Sequence, residues 1–132
     1  ICLDGSKLSN PEIKSNSPYS IIMILGLYPY IDNKEGYNLL KQVLEVTSKK
    51  SGIIIREPIA LEKELILNNV WSDDMDTNYT ARYRTQDWFK NIFADILFKE
   101  GYKLIVDEPL FPDHLNNRKE TRQHLFYLKK NG

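Results

Sequence analysis

Apolar positions fall along this chain in runs and stripes that predict its elements. The stretch "SIIMILGLY", residues 20–28, is a continuous apolar run, as expected of a strand covered on both faces. Asp32 follows as a helix cap, and Tyr37, Leu40, Val43, Leu44 and Thr47 recur at three- and four-residue spacing. That stripe predicts an amphipathic helix with Lys49 and Lys50 at its C-terminal end and Gly52 just past it. Ile53 to Arg56 then read as a second buried strand, ending at Arg56 and Glu57. A strand–helix–strand unit of this kind has parallel strands and a right-handed crossover.

Further on, "ALEKELILNNVW" has mixed periodicity and reads as irregular or helical, followed by an acidic loop "SDDMD". Thr85 is the next candidate cap. Trp88, Phe89, Ile92, Phe93, Ile96 and Leu97 form a broad apolar stripe behind it, read as helix core, and Gly101 closes that helix. "YKLIVDE", residues 102–108, and "QHLFYLKK", residues 123–130, are two consecutive strands, expected to end the sheet as an antiparallel hairpin. Ile1 to Leu3 read as a strand ending at Asp4-Gly5. The chain opens on Ile-Cys-Leu-Asp, which predicts that it begins inside a larger domain.

Composition narrows the classes. The 132 residues fit one domain, and the 18 Lys plus Arg balance 18 Asp plus Glu. Zero net charge argues against a mainly electrostatic nucleic-acid binder. Cys2 is the single cysteine, so no intrachain disulfide forms, which suits an intracellular compartment. No apolar run approaches the roughly 18 residues of a membrane span, no signal peptide is visible, and no membrane partner is expected.

Four segments carry a resemblance: "SPYSIIMILGLYPYID", "LLKQVLEVTSKKSGIIIREP", "ARYRTQDWFKNIFADILFKEGYKLI" and "HLFYLKK". Their order resembles the C-terminal half of class I S-adenosylmethionine-dependent methyltransferases, with the closest cadence in the protein α-N-terminal methyltransferases. The resemblance implies the last part of a doubly wound, mostly parallel α/β sheet of order 3-2-1-4-5-7-6. It implies S-adenosylmethionine as cofactor and methyl transfer to an amine or similar nucleophile, carried on a protein or an RNA. Ser20 and Ser51 depart from the family pattern, and no G-x-G cofactor turn is present. Strands one and two are therefore missing, and strand 20–28 needs a cover, from an absent N-terminal half or a partner chain. A non-catalytic methyltransferase-like scaffold subunit is the alternative, and an unrelated small α/β binding module a third.

The resemblance also names site residues. Asp4 and Gly5 would contact the adenine, and Leu25 and Gly26 would lie beside the cofactor. The turn with Tyr28 and Tyr30 would shape the acceptor pocket, although "LYPY" lacks the acid or amide of adenine-N6 enzymes. Glu57 and Tyr30 are the catalytic candidates, Glu57 as acceptor or base for an amine nucleophile. Arg56 would face the substrate or pair with a neighbouring loop. Asp73, Asp74 and Asp76 lack the Gly and Glu of a calcium loop and read as a solvated loop, a lid, or a contact for a cationic substrate. Arg82 and Arg84 alternate and either bind a carboxylate or phosphate or pair with those acids. His114 and His124 have no partner at ligand spacing, so no metal is expected. Arg118, Lys119, Arg122, Lys129 and Lys130 read as a solvated basic terminus.

Overall fold

The computed structural model describes Leu8 and residues 10–132. Its elements are α1 (Pro11–Ser15), β1 (Tyr19–Leu25), α2 (Asn33–Val46), β2 (Thr47–Ala60), β3 (Leu65–Ser72), β4 (Thr77–Tyr83), α3 (Gln86–Ile96), β5 (Lys103–Pro109) and β6 (Thr121–Asn131). One four-stranded sheet has the order β1-β2-β6-β5, and a separate two-stranded sheet is made of β3 and β4. In succession and pairing this order matches the pattern 4-5-7-6 that the resemblance implies for part of its sheet.

Both long helices start where a side chain can replace the missing turn. Asp32 accepts from the Glu35 amide at 2.8 Å while Glu35 reaches back to Asp32, a reciprocal cap on α2. Thr85 accepts from the Trp88 amide at 3.2 Å and caps α3. The apolar stripes of these helices, Leu39, Leu40 and Val43 on α2 and Phe89, Ile92, Phe93 and Ile96 on α3, meet Ile24, Ile53, Ile55, Phe126 and Leu128 of the sheet. At its centre the Phe126 ring lies 5.1 Å from Phe93 and 5.3 Å from Phe89.

Three expectations change. The strand read as ending at Arg56 is fourteen residues long and continues through Glu57 and Pro58 to Ala60. It extends because β6 pairs with it without interruption from Lys50 to Ala60. The helix accordingly stops at Val46, and Gly52 lies inside the strand, where a Cβ would stand 2.9 Å from the Tyr127 ring. Residues 60–84 are neither irregular nor helical but an antiparallel hairpin, β3–β4. A bulge between Leu67 and Val70, with Asn69 at φ 54°, breaks the alternation that would have marked its first strand.

The third change concerns the sheet. Among the described residues β1–β2 is parallel and the pairs β2–β6 and β5–β6 are antiparallel, so this part is not mostly parallel. Nor is it wound on both faces. α2 and α3 pack on one face, and the other bears Ile21 at 63% exposure, Met23 at 57% and Leu25 at 49%. Ile54, Val106, Leu125 and Tyr127 join Ile21 there around an apolar hollow of about 270 Å³. β1 pairs with β2 alone among the described strands, leaving its outer edge open. No helix among the described residues is long and apolar enough to cross a membrane.

Phe126→Ala would leave a cavity between the sheet and α3. It is expected to lower unfolding free energy by about 3–5 kcal/mol, read as a shift in the denaturant midpoint.

Candidate functional site

The carboxyl end of β1 is the point where the chain leaves the sheet. Gly26 makes the exit with φ 74°, its amide donating to the Arg56 carbonyl at 3.0 Å. A left-handed φ favours glycine here. The space where its side chain would stand is open, the nearest atom being Arg56 Nη1 at 4.0 Å. Leu27 follows, then one short 3-10 turn, Tyr28–Tyr30, and then Ile31 and the cap Asp32.

Two charged side chains hold this turn. Glu57 Oε1 accepts from the Leu27 amide at 2.9 Å and from the Tyr28 amide at 3.3 Å. Arg84, immediately after β4, donates through Nη1 to the Tyr28 carbonyl at 2.5 Å, through Nη2 to the Ile31 carbonyl at 2.7 Å, and through Nε to Asn33 Oδ1 at 2.9 Å. Its guanidinium also lies 4.5 Å from the centre of the Trp88 ring. Glu57 and Arg84 are both buried, at 0% and 1% exposure. A buried charge stays only where fixed partners replace its water, and the backbone of this turn supplies them.

Burial pushes the Glu57 carboxyl up to about 7, against the lowering effect of the Leu27 and Tyr28 amides and of Arg56. Its second oxygen, Oε2, has no hydrogen-bond partner. His124 lies directly opposite Glu57 across the β2–β6 pair and is equally buried. Its Nε2 faces Asp107 Oδ1 at 2.6 Å, so the carboxylate fixes the proton on Nε2 and leaves Nδ1 a bare, buried lone pair. Burial holds the imidazole below its ordinary pKa despite the Asp107 contact. Burial would raise Asp107 too, but hydrogen bonds from His124 and Gln86 and the charge of Lys90 bring it below the usual range. Two neighbouring strands thus present a neutralisable acid and a neutral imidazole, each with one unused atom.

Leu25, Gly26, Tyr28, Tyr30, Arg56, Glu57 and Arg84 therefore gather around one turn, but not all as a binding surface. Tyr28 is buried, its rings edge-on to Phe89 at 5.2 Å and Trp88 at 5.9 Å, and its hydroxyl donates to the Gly36 carbonyl at 3.2 Å. Burial, then Glu57, raise its pKa, so that the proton stays on. Tyr28 and Arg84, expected to meet substrate, are framework because every polar group they carry is already engaged inside. Adjacent strand residues point to opposite faces, so Arg56 does not share a side with Glu57. Arg56 stands beside Gly26 and donates to Gln123 Oε1 at 3.3 Å.

Tyr30 is exposed and borders a cavity of about 360 Å³ with Pro58, Tyr83, Phe111, Arg118 and Arg122. Asp74 and Asp76 lie exposed in the β3–β4 turn, where Asp76 adopts φ 51°. Asp73 accepts there from Trp71 Nε1 at 2.7 Å. Arg82 pairs with Glu64 at 3.5 Å on the same hairpin. Asp4 and Gly5 lie outside the described residues. Reading the sequence alone missed His124, Asp107 and the cavity arginines, because no spacing announces a pair made across strands.

No family model and no curated protein matches this chain. Solved structures do. The glycopeptide N-methyltransferase MtfA complexed with S-adenosyl-L-methionine matches with TM-score 0.62 and 14% identity, over 99% of this chain and 64% of that one. The Burkholderia thailandensis 1,6-didemethyltoxoflavin-N1-methyltransferase, holding its substrate and S-adenosylhomocysteine, matches with TM-score 0.64 and 7% identity, over 100% of this chain and 50% of that one. A Clostridium acetobutylicum S-adenosylmethionine-dependent methyltransferase matches with TM-score 0.63 and 13% identity, covering 100% and 64%. The chain has the fold of S-adenosylmethionine-dependent methyltransferases. It spans between half and two thirds of the length of these neighbours.

Two outcomes follow from the clamp. Arg84→Met strips buried carbonyls of their donor and is expected to cost about 2–4 kcal/mol of stability, read by denaturant titration. A carboxyl whose pKa is raised on folding binds more protons folded than unfolded, so its contribution to stability falls as pH rises from about 4.5 to about 7. His124, depressed, acts oppositely, its contribution falling as pH drops below 6.5. The difference between wild type and Glu57→Gln isolates the Glu57 slope, and it should grow across pH 4.5–7 in favour of the variant.

Proposed function

We propose that this chain is the acceptor-side part of an S-adenosylmethionine-dependent methyltransferase acting on an amine or similar nucleophile. The observation that carries the reading is the sheet: strands in 4-5-7-6 order, with the strand-four edge open and one apolar face bare. In this reading, a segment carrying the Gly-rich turn, upstream or on another chain, completes the sheet along β1 and covers Ile21 and Met23. Two of the fold neighbours are N-methyltransferases, which supports a nitrogen acceptor.

The residues present fit one wall of the cofactor site. The open space over Gly26 lets a ligand approach the backbone closely, and Leu25 and Gly26 would line it. S-adenosylmethionine, when bound, supplies a methyl group already activated on a sulfonium. The chain's own task is then alignment, which contributes much of the rate in such transfers. Glu57 and Arg84 are positioning residues in this scheme: they set the turn that carries Tyr30 to the acceptor cavity. Buried Glu57 acts through that turn, and Tyr30 touches the acceptor.

The protein purified from its source, measured by native and denaturing mass and by calorimetry with S-adenosylmethionine, tests this. Expected is a heavier polypeptide or a tightly held second chain, with saturable cofactor binding. A soluble, cooperatively folded single species near 15.5 kDa that does not bind the cofactor would overturn it.

A further inference from the structure

The cavity beside Tyr30 has a composition that its surroundings do not explain. Arg118 and Arg122 both line it, and no Asp or Glu does. The described ion pairs engage Arg82, Lys14, Lys90 and His124, not these two arginines. Arg122 is half-buried, so its guanidinium stem is held by the fold rather than free in solvent. A guanidinium fork matches a carboxylate or a phosphate.

The same cavity is also lined by aromatic side chains. Tyr30 and Phe111 are exposed at 59% and 51%, and Tyr83 completes the group. Burial, then the neighbouring Tyr30 and Tyr79, keep the Tyr83 hydroxyl protonated, and only Arg118 opposes them. Flat apolar rings and two cations lining one cavity suit a planar ligand with an anionic end. The volume of about 360 Å³ is that of a small-molecule site.

We infer that this cavity binds a small planar aromatic acid, its carboxylate or phosphate held by Arg122 and Arg118 and its ring against Tyr30, Tyr83 and Phe111. Naming that ligand as the methyl acceptor rests on the function proposed above, while the binding itself does not.

Ligand-observed NMR titration of the full chain reads it with three probes: 4-hydroxybenzoate, phenyl phosphate and the neutral 4-hydroxybenzamide. At least one anion is expected to bind about tenfold tighter than the amide, the scale of a hydrogen bond to a charged group. The tighter of the two identifies the anionic end. Arg122→Gln, folded by its thermal melt, should abolish that preference, and Phe111→Ala should weaken all three probes together. Equal affinity for acid and amide, or a preference that survives both Arg122→Gln and Arg118→Gln, would overturn the inference. So would tight binding of a single-stranded oligonucleotide with no response to the small anions. The titration contains no methyl donor, so failure of cofactor binding leaves this result readable on its own.

Discussion

The turn between Gly26 and Ile31 is held by both polarities of its own backbone. Its amides point at the Glu57 carboxyl and its carbonyls at the Arg84 guanidinium. The first comes from the strand beside β1, the second from the base of the β3–β4 hairpin, just after β4. Backbone groups leaving a sheet edge normally find water. Here they find two side chains that are themselves buried, so the backbone groups are satisfied by Glu57 Oε1 and the Arg84 guanidinium, while Glu57 Oε2 is left without a partner. Removing one member leaves the rest exposed to a desolvation cost of several kcal/mol. The position of Tyr30, and hence the rim of the cavity, depends on that mutual arrangement.

Much of the fold was legible because its signals are local. The stripes on α2 and α3, the caps at Asp32 and Thr85 and the strand pair at the end of the chain follow from spacing alone. The sheet order was not among them: it came only with the family resemblance, whose strand order the sequence itself does not spell out. Non-local features were hidden. The length of β2 is decided by β6, some seventy residues away, whose pairing carries the strand through Pro58, a residue that on its own reads as a stop. The hairpin was hidden by its bulge at Asn69. Glu57 was visible as chemically interesting, yet its role depends on side-chain direction: inward against a turn, while its neighbour Arg56 faces the other way.

The cavity arginines show the reverse case. Arg118 and Arg122 sit in a polar, basic stretch that resembles a solvated terminus, and only the folded chain brings Tyr30 and Tyr83 to the same cavity. A sequence reading prices each charge by its neighbours along the chain, whereas the structure places these beside rings from two other elements.

The β3–β4 hairpin leaves the sheet at one base and also packs on the Tyr28–Tyr30 turn, where the Tyr79 ring lies 6.4 Å from Tyr30. The Ala60 amide donates to the Arg84 carbonyl at 2.9 Å, and Ala60 bridges Thr85, so the two ends of residues 61–83 meet at one point. The clamp's own bonds, from Glu57 and Arg84, are made away from the exposed tip at residues 73–76. A different charge at Asp74 or a replaced tip would leave Arg84 anchored where it is. The tip is therefore a segment in which evolution can change what the molecule meets without renegotiating how it folds.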